Sequence, residues 1–106
     1  MERALVNDAI EALEEANRRL LVDGLTPSEV NELLTRYARA EKLAAYGRTV
    51  LAGRAHDART VARVTGTSVG RARRTVDTAK TLKDTPGLAE ALRCGDVSSD
   101  QAEVIA

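Results

Sequence analysis

The chain has 106 residues, 16 Lys and Arg against 16 Asp and Glu, and 43% apolar but only 2% aromatic side chains. That length makes one domain or part of one. A core of Leu, Val, Ile and Ala without Trp or Phe is thin for this size, so help from a partner chain is expected. A lone cysteine, Cys94, excludes an intramolecular disulfide and a cysteine zinc site, and a lone histidine, His56, excludes multi-histidine metal centres. No apolar run reaches the roughly 20 residues of a membrane span. The start, Met-Glu-Arg-Ala, lacks the basic and apolar stretches of a secretion signal. These features predict a soluble, cytoplasmic, reduced protein with no metal, no cofactor and no membrane contact.

Every periodic segment repeats as a helix and none alternates as a strand, which predicts an all-α fold. In residues 2–22, Val6, Ile10, Leu13, Ala16 and Leu20 recur at helical spacing, widened by Leu5, Ala9 and Ala12. Asp23-Gly24 is read as the end of this helix, with Gly24 in the left-handed conformation. Thr26-Pro27-Ser28-Glu29 is a strong start: Thr26 caps, Pro27 suits the first turn, and Glu29 closes a capping box. The helix that follows carries Val30, Leu33, Tyr37, Ala40, Ala44, Gly47 and Leu51 at alternating spacings of three and four. Joined by so short a link, the two long helices are expected to form an antiparallel hairpin over residues 1–52. The seam is expected to pack on the first helix, or to serve as a dimerisation surface for a homodimer.

Residues 53–106 are expected to form a small helical region. Gly53 ends the long helix, and Asp57 caps a short one running to about Thr65. Gly66-Thr67-Ser68 makes a turn, with Gly66 as terminator and Thr67 or Ser68 as the next cap, and a helix from Val69 to about Lys83 buries Val69, Ala72, Val76 and Ala79. After Asp84-Thr85-Pro86-Gly87 comes a short helix, Leu88 to Arg93, ending at Gly95. Ser98 to Gln101 then starts a last helix with capping-box spacing. That helix stops on apolar residues at Ala106 without a terminator, so the natural chain is expected to continue.

The balanced total hides a segregation of charge. Residues 1–47 hold six basic and nine acidic side chains, residues 48–83 nine against two, and residues 84–106 one against five. The basic block coincides with the pair of helices around Gly66. Ala62 and Gly66 stand four apart, the spacing of the packing residue and turn glycine in a helix–turn–helix. On a helical wheel of the second helix, Arg71, Arg74, Thr78 and Thr81 oppose the apolar face, and Arg73 and Lys80 flank it. Arginine's planar fork suits both base edges and phosphates. Arg71, Arg73 and Arg74 are therefore the first candidates for DNA contact, supported by Arg63, Thr78 and Lys80. Arg48, Arg54, Arg59 and Lys83 fall outside this face. The alternative is a corner of two helices with a solvated basic face. Neither His56, read as a loop residue, nor Cys94, read as a packing residue beside Gly95, has the company a catalytic set requires, so no enzyme activity is expected.

Three stretches carry a family resemblance: Leu33 to Leu43 (LLTRYARAEKL), Thr65 to Arg73 (TGTSVGRAR) and Leu92 to Ala106 (LRCGDVSSDQAEVIA). In their order they resemble the N-terminal domain of unknown function that precedes HNH endonuclease modules in actinobacterial proteins, over about residues 30–106. The resemblance implies an all-α region followed by a ββα-metal nuclease module. The chain holds no HNH histidine pair, so none of that module's catalytic residues is carried over. The stretch Gly95-Asp96-Val97-Ser98, followed by Gln101-Ala102, is also similar to the helical DNA-binding region of chromosome-partitioning proteins. The expected function is a non-catalytic domain that binds or positions DNA, natively linked to an HNH-type nuclease. The alternative is a protein-interaction or dimerisation module without nucleic-acid contact.

Overall fold

A computed structural model describes residues 1–55 and 57–105. The described residues form six α-helices and no strand: α1 (Glu2–Arg19), α2 (Pro27–Ala52), α3 (Ala58–Thr65), α4 (Val69–Asp84), α5 (Pro86–Arg93) and α6 (Ser99–Ile105). The fold is all-α. His56 and Ala106, on which the loop-histidine and chain-continuation readings fall, lie outside the described residues.

The chain divides into two compact units, Met1–Leu34 and Thr35–Ala106, with the boundary inside α2. The charge follows this division. The first unit holds three basic and eight acidic side chains, the second thirteen and eight. All the net positive charge therefore belongs to the second unit.

In the first unit α1 ends at Arg19, and Leu20 turns to extended backbone. Val22–Gly24 form one turn of 3-10 helix, and Gly24 is not left-handed, contrary to its expected terminator role. The helix ends early because the chain leaves it at Leu20, before the glycine is reached. No residue of α1 is buried. Its stripe of Leu5, Val6, Ile10, Leu13 and Leu20 is exposed, from 64% at Leu5 to 39% at Leu20. At the start of α2 the expected capping box is formed. The Glu29 amide donates to Thr26 Oγ1 at 3.2 Å, and the Thr26 amide to Glu29 Oε1 at 3.0 Å. These bonds hold the Glu29 carboxyl below the usual carboxylate range.

Among the described residues, every buried one lies in the second unit. One cluster joins Ala45 of α2 to Leu82, Leu88, Leu92 and Ala102; the other joins Ala52 to Val61, Ala62 and Ala72. Six of the ten buried apolar residues are alanines. Alanines let the helices approach closely, and Leu82, Leu88 and Leu92 fill the space between them. The buried positions of α2 are Ala45, Thr49 and Ala52, whereas Ala44 and Leu51 of the expected seam are exposed. The packing face is displaced by one residue because α2 meets the later helices there, on the side where alanine admits them.

Candidate nucleic-acid interface

The candidate residues lie on α3, α4 and the end of α2. Asp57 caps α3, its Oδ1 accepting the Thr60 amide at 2.7 Å, and this bond lowers its pKa. Gly66 terminates α3 at φ 72°, in the left-handed region that favours glycine. Two residues later Ser68 caps α4, its Oγ accepting the Arg71 amide at 3.1 Å. The pair therefore forms where the capping residues predict. It packs through Val61, Ala62 and Ala72, with Val76 and Ala58 partly buried beside them.

The orientation of α4 differs from the helical-wheel expectation. Ala72 and Ala79 are buried as expected, but Val69 is 41% exposed, while Thr78 and Leu82 are buried. In its first half α4 faces α3, whereas further along it is covered by α5 and α6. That second contact turns the buried face toward the Thr78 side of the helix. Thr78, expected to face DNA, is only 7% exposed. Its hydroxyl donates to the Arg74 carbonyl oxygen at 2.9 Å, which satisfies it without an outside partner. It is withdrawn from the candidate set.

Arg71 is also engaged. Its Nη2 donates to Asp100 Oδ1 of α6 at 3.2 Å, in an exposed pair. Arg63 and Arg74 are exposed and form no ion pair among the described residues. Neither lines the two cavities at which Arg54, Arg73, Lys80 and Lys83 lie.

The cations that the structure does bring together lie on the other flank of α4. Arg54, Lys80 and Lys83 line a cavity of about 250 Å³ whose wall is Tyr46, Val50, Gly53, Ala79, Leu82 and Ala89. Lys80 also lines a second cavity with Arg73, Asp57 and Asp77. Arg54, Arg73, Lys80 and Lys83 are all exposed and form no ion pair among the described residues. Arg54 and Lys83, read from the sequence as outside the contact face, thus line the same cavity as Lys80.

The junction depends on Gly53. A Cβ placed there would stand 2.6 Å from the Ala79 Cβ, far inside van der Waals contact. Absence of that carbon lets the end of α2 lie directly on α4 and sets Arg54 beside Lys80. Gly53 was legible as a helix stop, but its role in close approach needs the partner helix and has no local signal.

Elsewhere, Glu90 pairs with Arg93 and accepts a hydrogen bond from the Cys94 thiol at 3.2 Å. That bond pushes the thiol pKa up, the reverse of activation. No group of three metal-ligating side chains occurs among the described residues, and no helix among them is long and apolar enough to cross a membrane. No family model, curated protein or solved structure matches the chain.

Proposed function

We propose that the chain is a non-catalytic helical domain that binds or positions DNA through the α4 flank and the end of α2. The supporting observation is the set of four exposed cations, Arg54, Arg73, Lys80 and Lys83, none paired with a described acid. Structural ion pairs consume basic side chains, while cations kept unpaired on one face create the potential that attracts phosphates. Arg74 and Arg63 extend the positive surface, and Arg71 joins it on release from Asp100. A native link to an HNH-type nuclease module is part of the proposal and rests on the resemblance of the three stretches. The test is anisotropy of a labelled duplex with a single-stranded tail, titrated with salt. Binding at low salt that weakens in an Arg73→Ala/Lys80→Ala variant supports the reading; absence of binding at low salt refutes it.

A second reading, a dimerisation module, is favoured by one observation: the exposed apolar stripe of α1. Light scattering across a concentration series tests it. A monomer at high concentration refutes the homodimer.

A further inference from the structure

We infer that the cavity between the end of α2 and α4 receives one unstacked base of a single-stranded nucleic acid, with adjacent phosphates on Arg54, Lys80 and Lys83. This rests on the DNA-binding reading and names the form of nucleic acid that the site takes. Contacts to duplex phosphates need only a charged surface. This site adds an apolar recess directly beside the charges, walled by Val50, Ala79, Leu82 and Ala89, with Tyr46 as its aromatic member. Cations that track a backbone beside surfaces that receive bases are how single strands are held.

Size and charge narrow the occupant. At about 250 Å³ the recess lies below the range of about 300–1,000 Å³ typical of drug-sized ligands, so it suits a single ring system. No acidic side chain lines it, in contrast to the neighbouring cavity, where Asp57 and Asp77 oppose Arg73 and Lys80. Arg73, Lys80 and Lys83 fall within about 80° of arc on α4 and span about 15 Å along its axis at 1.5 Å per residue. A ligand with one anionic headgroup cannot engage charges spread over that length, whereas a polyanion can. Charge spacing therefore selects a polyanion over a single headgroup, and the small acid-free recess beside the charges favours a polynucleotide strand, which can offer it one base.

The experiment compares three labelled probes by anisotropy at low salt: a thymidine 12-mer, the same backbone with abasic sites throughout, and a 12-base-pair duplex. The expected order is single strand tightest, with the abasic backbone about 5–150-fold weaker, the range of one stacked base. Lys80→Ala/Lys83→Ala, at exposed positions that leave the core intact, is expected to lower the single-strand salt slope by about 1.4, at about 0.7 per phosphate. Equal binding of the abasic and normal strands, or tighter binding of duplex, overturns the base-in-cavity inference while leaving DNA binding in place. Absence of binding to all three probes overturns both. Retention on phosphatidylserine vesicles without binding to any oligonucleotide also overturns both, in favour of a lipid surface.

Discussion

Replacing Gly53 by alanine tests how the candidate site is assembled. The added Cβ would lie 2.6 Å from the Ala79 Cβ, with the Val50 carbonyl oxygen at 3.4 Å. Carbon atoms settle at about 3.5–4.0 Å, so α2 and α4 must separate by roughly 1 Å. Ala79 is 6% exposed and has no flexible end to yield. Overpacking of this kind costs about 1–3 kcal/mol. Gly53 does not have positive φ, so alanine also gains about 0.4–1 kcal/mol from a less flexible unfolded chain. The expected net loss is about 1–2 kcal/mol, a fall of roughly 5–15 °C in Tm for a unit of this size. Urea denaturation followed by circular dichroism measures it. Ala79→Gly alone is also destabilising, through a lost buried methyl and a glycine within a helix. In combination with Gly53→Ala it removes the clash, so the pair should show a favourable coupling of about 1 kcal/mol or more. An unchanged or raised midpoint for Gly53→Ala, or strict additivity of the two changes, would refute the close-approach argument.

Four further outcomes are expected. Leu92→Ala removes the one large side chain among the described residues that is fully buried and should cost about 2–5 kcal/mol, enough in so thin a core to broaden or abolish the thermal transition. Asp100→Asn frees Arg71 and removes a negative charge beside the basic face, so DNA affinity should rise severalfold while Tm moves little, since exposed ion pairs contribute about 0–1 kcal/mol; unchanged affinity would show that Arg71 takes no part. Ser68→Ala deletes the α4 cap and should cost about 1 kcal/mol, read from the urea midpoint. The carboxyls of Glu15, Glu29, Asp57 and Glu90 all have lowered pKa values, from hydrogen bonds to Arg18 and Arg19, to Thr26, to Thr60 and to Arg93 respectively. A lowered folded pKa means that the unfolded chain binds protons first. Their stabilising contribution is therefore full above the ordinary carboxylate range, about pH 4–5, and is lost as pH falls below it; a stability–pH profile that is flat from pH 6 to pH 3 would contradict this.

Helix boundaries were the most legible part of this chain because local chemistry sets them. Thr26, Asp57, Ser68 and Ser98 each accept the backbone amide that a capping residue should accept. Gly66 and Gly95 are the two left-handed glycines that end helices. Gly24, also read as a terminator, is not: α1 stops at Arg19, and Gly24 closes a separate turn of 3-10 helix without positive φ.

Which face of each helix is covered proved less legible. A helical wheel locates a buried face only where apolar residues mark it, and α4 buries Thr78, a polar residue whose hydroxyl is satisfied by its own helix. In α2 the heptad pattern runs through Ala44, Gly47 and Leu51, and spacing alone does not distinguish that face from the adjacent one of Ala45, Thr49 and Ala52, which is buried. The candidate site moved for the same reason. Arg71 and Arg74 look outward on the wheel, but α6 brings Asp100 to Arg71, and the contact of Gly53 with Ala79 gathers Arg54, Lys80 and Lys83 instead. Charge segregation is legible in the sequence, but which of the basic side chains share a cavity is not.

The most direct measurement is the salt dependence of DNA binding by the parent chain and by Arg73→Ala/Lys80→Ala. The account predicts a linear fall of log affinity with log salt concentration. In the variant the slope should be shallower by about 0.7–0.9 for each phosphate contact removed. Undetectable binding at 20 mM salt, or a slope identical in the two proteins, would contradict it.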